Sequence, residues 1–278
     1  MEAWVQQLSL KMSKIVTPYG KLHYEVEGHS DQTIVFMNGV MASLSSWSTY
    51  VKQFVDLGYQ VVTFDFIGQL LSDKPEGPYT FDQHVDEVSL LLDHLKVTKV
   101  HIIGTSYGSE VGMKFAMTYP KKVLSLSLID GTAEITPSIK KEIDRWTELT
   151  YGPGDQFFWG MAPGIYHPDF IEKNREGLEK RAQRLVGAKE YLRGQRILYK
   201  TFLTEVNFLD ELDKIECPTI VIVGEDDTLK TVNDSLNIHN GIKNSEMVII
   251  PNCGHVAIFE KPDELSTLLI GFIEKMRL

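Results

Sequence analysis

The chain has 278 residues, 43% hydrophobic and 24% charged, which suits a globular protein able to bury a sizeable core. Its 38 acidic against 28 basic residues leave a net charge of -10, which argues against nucleic acid and anionic membrane surfaces as partners. No apolar run reaches the length of a membrane span, residues 1–7 lack the basic region and apolar core of a signal peptide, and there are only two cysteines, Cys217 and Cys253; a cytoplasmic protein with reduced, buried thiols is expected.

Residues 14–27 read as two strands joined by a Pro18-Tyr19-Gly20 turn, with Leu22, Tyr24 and Val26 alternating on one face. Residues 33–37 form a continuous apolar run, as expected of a strand covered on both faces, and end at Asn38-Gly39-Val40. An amphipathic stretch over 47–57 leads to a second buried strand at 60–65. The loop that follows, 68–78, holds Pro75, Gly77 and Pro78 and is expected to be irregular. Thr80-x-x-Gln83 has the form of a capping box, and Phe81, Val85, Val88, Leu92 and Leu95 share one helical face.

A further strand over 99–103 runs into Gly104-Thr105-Ser106-Tyr107-Gly108, and a helix over 110–119 leaves it, stopped by Pro120. Residues 123–129 are the next strand, ending at Asp130-Gly131. Strand and helix alternate to this point, which implies right-handed crossovers and a mostly parallel sheet. From 132 to 207 the rhythm stops. That stretch holds helical segments and a Gly/Pro-punctuated aromatic run over 152–166, but no buried strand. Strands resume at 219–223 and 247–250, and a helix over 262–276 closes the chain. The expected fold is a doubly wound α/β sheet, its core built from 1–131 and 208–278, with a helical cap of 132–207 inserted after the sixth strand.

The pattern Gly104-x-Ser106-x-Gly108, set between a strand and a helix, is that of a nucleophile elbow, a tight turn that lifts one hydroxyl out of the fold. By itself it carries little weight, because chance supplies it in about one chain in ten of this length at ordinary glycine and serine frequencies. A serine hydroxyl is a poor nucleophile near neutral pH. It needs an adjacent base, and that base needs a carboxylate to fix its tautomer. Both residue types occur after the helical block, each just past a strand: Gly224-Glu225-Asp226-Asp227, then Asn252-Cys253-Gly254-His255. Of the eight histidines, only His255 has this glycine-flanked strand-end setting. His84, His94 and His239 fit exposed or amphipathic helical positions, and His23 and His101 lie in or beside strands with no partner motif.

With these three motifs in this order, the chain resembles the α/β-hydrolase fold superfamily over nearly its whole length, in particular the esterase, enol-lactonase and cofactor-free haloperoxidase group. The resemblance implies Ser106 as nucleophile, His255 as base and Asp227 as acid, with Asp130 after the sixth strand an alternative acid. It also implies an oxyanion hole from the backbone N–H groups of Tyr107 and Val40, and no metal or organic cofactor. Two departures stand out. Asn38-Gly39 replaces the family's usual His-Gly after the third strand. The loop Asp65-Phe66-Ile67-Gly68-Gln69-Leu70-Leu71-Ser72 lacks the arginine and second glycine common there.

The expected reaction is hydrolysis of an ester or lactone of a small, largely apolar substrate. Carbon–carbon bond hydrolysis or perhydrolysis with the same triad is an alternative, and a triad-retaining small-molecule receptor is a third. Trp146, Tyr151, Phe157, Phe158, Trp159, Met161 and Tyr166 either roof a pocket or form the cap's own core. The Lys and Glu residues of 172–189 are expected to be a solvated helical face, and Cys253 a buried filler.

Overall fold

The computed structural model describes residues 13–277; residues 1–7, which carry the expectation about a signal peptide, lie outside this range. Eight strands form one sheet in the order β1-β2-β4-β3-β5-β6-β7-β8. β1 (Ser13–Thr17) and β2 (Gly20–Glu27) are an antiparallel hairpin, and β2 also runs antiparallel to β4 (Gln60–Asp65). The remaining pairs, through β3 (Thr33–Met37), β5 (Val100–Thr105), β6 (Val123–Ile129), β7 (Thr219–Gly224) and β8 (Ser245–Ile250), are all parallel. This is the expected mostly parallel α/β sheet.

The central strands read as unbroken apolar runs because alternate residues enter two different cores. Along β3, Ile34 and Phe36 pack with Tyr50 and Phe54 of α1 (Ser48–Asp56) and with Leu265 and Leu269 of α10 (Pro262–Lys275). Val35 and Met37 face the other way. They join Val88 and Leu91 of α2 (Phe81–His94), Val111 and Phe115 of α3 (Tyr107–Thr118) and Ile238 of α9 (Val232–Gly241). Full burial of one such side chain is worth about 1.5–3 kcal/mol, so both faces are covered by strongly favourable contacts.

Between β6 and β7 the chain makes five helices: α4 (Pro137–Leu149), α5 (Gly154–Ile165), α6 (Pro168–Lys173), α7 (Arg175–Arg184) and α8 (Lys189–Glu205). The excursion leaves and returns at one point, where Glu134 bridges Asn207 and the Phe208 N–H donates to the Ala133 carbonyl at 3.0 Å. The aromatic run that looked broken in sequence is helix α5. Gly160 serves close packing there, since a β-carbon on it would come within 2.5 Å of Leu149 of α4.

Two local expectations need correction. Thr80 accepts from the Gln83 N–H at 3.0 Å, but the Gln83 side chain donates to Glu87 at 2.9 Å instead of returning to the cap. The box is therefore half formed. His84 is fully buried, its Nδ1 3.0 Å from Glu87 Oε2 and its ring among those of Phe66, Tyr79 and Tyr107. Its steps of three and four from Phe81 and Val88 put it on the apolar face.

Candidate active site

The turn from β5 to α3 holds Ser106 at φ +52° and ψ -120°, backbone that a side-chain-bearing residue adopts only under strain of about 1–3 kcal/mol. The flanking glycines make this possible. A β-carbon on Gly104 would lie 2.4 Å from the Gly108 carbonyl oxygen, and one on Gly108 would lie 2.2 Å from that of Met37. The turn is braced from β6, since the Ser106 N–H donates to the Ile129 carbonyl at 2.8 Å. The Ser109 hydroxyl donates to the Gly104 carbonyl, also at 2.8 Å.

Ser106, His255 and Asp227, 149 and 28 residues apart in sequence, meet at this turn. Ser106 Oγ is 2.9 Å from His255 Nε2, and His255 Nδ1 is 2.7 Å from Asp227 Oδ2. The other Asp227 oxygen accepts the N–H groups of Leu229 and Lys230, each at 2.9 Å. With both carboxylate oxygens accepting, the imidazole hydrogen sits on Nδ1 and leaves Nε2 free to take the serine proton. His255 is also fixed by its backbone, which donates to the Ile165 carbonyl at the end of α5 at 2.8 Å. Glu260 accepts the N–H groups of Gly254 and His167, tying the histidine loop to the helical block.

The other acids at these strand ends point elsewhere. Asp130 is fully buried at φ +51° and gives its oxygens to the N–H groups of Gly224 (3.0 Å) and Ala257 (3.4 Å). Burial, and then the charge of Asp227, push its carboxyl well above the ordinary range. Glu225 is exposed and accepts from the Asn252 N–H, while Asp226 faces His167 at 3.6 Å. Cys253 is buried and unbridged, and burial pushes its thiol up, away from the reactive thiolate.

Asn38, one of the departures in sequence, and Gln69, from the loop that holds the other, are hydrogen-bonded to each other. Asn38 Nδ2 donates to the Phe64 carbonyl at 2.8 Å, to Asp65 at 3.2 Å and to Gln69 Oε1 at 3.3 Å, while its Oδ1 accepts Trp47 Nε1 at 2.9 Å. Gln69 Nε2 reaches across to the carbonyls of Gly39 (2.9 Å) and Val40 (3.3 Å). Two buried amides thus grip the loop after β3. Val40 and Tyr107, the two expected oxyanion donors, both line the cavity into which Ser106 opens.

That cavity is walled mostly by apolar side chains. Trp146, Met161 and Tyr166 line it, whereas Phe157 and Phe158 are packed in the core and Tyr151 is exposed. The aromatic run therefore splits between the two expected roles. The Lys and Glu residues of helix α7 are exposed as expected, Leu178 and Ala182 are buried, and Arg181 is half-buried. This side chain turns inward to Tyr166 and the Met41 carbonyl and reaches the cavity wall.

Sequence reasoning missed one pair altogether. Lys230 and Glu110 are buried, with Nζ 2.9 Å from both carboxylate oxygens and 3.1 Å from Ser106 Oγ. Burial raises the Glu110 carboxyl and Lys230 opposes that shift. The available signal was a charged residue at a core-facing position of the helix that leaves the elbow. Among the described residues no cluster of three or more His, Cys, Asp or Glu is arranged to hold a metal ion, and no helix is long and apolar enough to cross a membrane.

Residues 32–262 match the family model described as alpha/beta hydrolase fold. The chain is 26% identical over 268 residues to the 2-hydroxy-6-oxononadienedioate/2-hydroxy-6-oxononatrienedioate hydrolase of Paraburkholderia xenovorans (strain LB400), covering 91% of this chain and 90% of that protein. In structure it is similar to an alpha/beta hydrolase enzyme from a Medee basin deep-sea metagenome library. The TM-score is 0.90 and the identity 29%, over 94% of this chain and 97% of the other. The enol-lactonase from Burkholderia xenovorans LB400 superposes with a TM-score of 0.84 at 20% identity, over 94% of this chain and all of that one. At that identity the likeness speaks for the fold alone.

Proposed function

The chain belongs to the α/β-hydrolase fold family, and on that premise we propose that it hydrolyses an ester or lactone of a small, largely apolar substrate through an acyl-enzyme on Ser106. The observation that carries this is the unbroken relay from Ser106 Oγ through His255 to Asp227, opening into an apolar cavity. Ser106 attacks the carbonyl carbon while His255 Nε2 takes its proton, and Asp227 stabilises the imidazolium that results. The N–H groups of Tyr107 and Val40 receive the oxyanion; loss of one such donor typically raises the barrier by ~3–4 kcal/mol. His255 then protonates the leaving group and activates the water that clears the acyl-enzyme. The helical block 132–207 acts as a cap that shapes the substrate space above the serine.

A second reading is cleavage of a carbon–carbon bond beside a ketone by the same residues. It is favoured by the relative named 2-hydroxy-6-oxononadienedioate/2-hydroxy-6-oxononatrienedioate hydrolase, which is matched over nearly the full chain. Ser106→Ala is expected to lower turnover of the preferred substrate by roughly 10⁴-fold or more. Parallel assays of short and medium p-nitrophenyl esters and of a 2-hydroxy-6-oxononadienedioate rank the two readings by kcat/KM. Full activity of the alanine variant on both classes would sink the nucleophile assignment.

A further inference from the structure

The Lys230 ammonium has no place in the serine–histidine–aspartate relay, yet it touches the nucleophile. Its surroundings account for each of its hydrogens. Two go to the Glu110 oxygens at 2.9 Å, and the third to Ser106 Oγ at 3.1 Å. The ring of Phe202 from α8 covers it at 4.7 Å, and the lysine is 2% exposed. Glu110 is itself held, since one of its oxygens accepts the Thr132 N–H at 2.9 Å. A buried ion pair is poor evidence for stability, because an apolar pair of similar volume usually serves as well or better. Aimed at a reacting atom, the same pair has a chemical use.

We propose that Lys230, oriented by Glu110, is a further catalytic residue that donates a charge-assisted hydrogen bond to Ser106 Oγ throughout the reaction. This rests on Ser106 being the nucleophile. In the resting site Oγ accepts from Lys230, so its single hydrogen is directed at His255 Nε2. During attack the proton passes from Oγ to Nε2, the Oγ–carbon bond forms and the carbonyl π electrons move to the carbonyl oxygen. Lys230 keeps its three protons and stabilises the charge that grows on Oγ as its own proton leaves. The carbonyl then re-forms as the bond from carbon to the leaving group breaks, and the leaving group takes the proton from Nε2. In the second half the water oxygen bonds to carbon and gives its proton to His255. The carbon–Oγ bond then breaks, and Oγ recovers a proton from Nε2 with the ammonium again beside it. Both halves place partial negative charge on Oγ, so both use Lys230. A cation counts for most in a dry, low-dielectric site, which the burial of this pair supplies.

The test removes both charges together, Lys230→Met with Glu110→Gln, so that no unpaired carboxylate is left buried. A fluorophosphonate probe reads the nucleophilicity of Ser106 directly, and a p-nitrophenyl ester resolves the acylation burst from steady-state turnover. Labelling is expected to slow by about 10²-fold, as for loss of an oxyanion donor. Burst and steady-state rates should fall together, with KM nearly unchanged and the melting temperature at or above that of the wild type. A folded double variant that labels at the wild-type rate would show the pair to be structural and overturn the inference alone. Failure of the wild type to label would overturn Ser106 as nucleophile and the inference with it, a distinguishable result. Should the double variant not fold, Lys230→Gln with Glu110→Gln keeps a polar N–H side chain, one atom shorter than lysine, without the charge. About tenfold slower labelling of that pair would support the inference, and an unchanged rate would overturn it.

Discussion

Two buried aspartates stand at neighbouring strand ends, and they do opposite things. Asp227, past β7, spends one oxygen on the N–H groups of its own loop and turns the other to His255. Asp130, past β6, gives its oxygens to Gly224 and Ala257, backbone of the two loops that carry Asp227 and His255. One carboxylate serves the imidazole and the other staples together the loops that bring imidazole and carboxylate into register. Burial at a strand end therefore does not by itself make a triad acid. What decides is which donors already occupy the oxygens.

The largest effect expected from breaking this contrast is at Asp227. In Asp227→Asn an amide nitrogen can face His255 Nδ1, which favours the tautomer with its hydrogen on Nε2, where it no longer accepts from serine. A loss in kcat of about 10⁴-fold is expected. Steady-state kinetics beside Asp130→Asn check it: a loss below tenfold at Asp227, or a collapse at Asp130 alone, would exchange the two roles. A smaller effect is expected at the end of β3, where neutral amides do the positioning. Gln69→Leu frees the carbonyls of Gly39 and Val40 and leaves Asn38 without one of its acceptors. On the proposed role of the Val40 N–H as an oxyanion donor, kcat should fall by about tenfold, a part of the cost of losing one such donor, while KM stays nearly constant. An equal rise in KM with kcat untouched would instead place Gln69 in substrate binding.

The sheet and the three motif residues were legible in sequence because each leaves a local mark. Strands such as 33–37 are apolar throughout, since both faces meet a core. The elbow needs two glycines at fixed spacing, and Asp227 and His255 each follow a buried strand. The Lys230–Glu110 pair left only a faint one, the place of Glu110 on the core-facing side of α3. A charged residue in a linear sequence reads as solvated, and only a contact spanning 120 residues shows otherwise. Gln69 and His84 were missed for the same reason. The Gln69 amide is hydrogen-bonded inside the protein to the Gly39 and Val40 carbonyls, and His84 is buried with its Nδ1 against Glu87, so polarity no longer marked the surface. Hydrophobic periodicity locates the boundary with water, but not which buried polar groups find one another.

Asp130→Asn carries the smallest expected effect on turnover and the most specific one on stability. A carboxyl raised in the folded state binds a proton that the unfolded chain releases above about pH 4. Its stabilisation is fully present below that pH and is lost as the pH rises through the folded value. Asparagine does not titrate and still offers an acceptor to the Gly224 N–H. The melting temperature of the variant minus that of the wild type should therefore climb as the pH is raised from about 4 towards neutrality, with kcat little changed. His101, hydrogen-bonded to Ser125, acts in the opposite sense. Burial lowers it from 6.5 to about 4, so the stability it contributes is lost as the pH falls through that window. Both proteins contain His101, and taking the difference cancels its slope while leaving that of Asp130. Parallel melting curves for variant and wild type would mean that Asp130 titrates alike in folded and unfolded chains. The carboxyl would then be no staple held in a dry site, and the contrast with Asp227 would rest on direction alone.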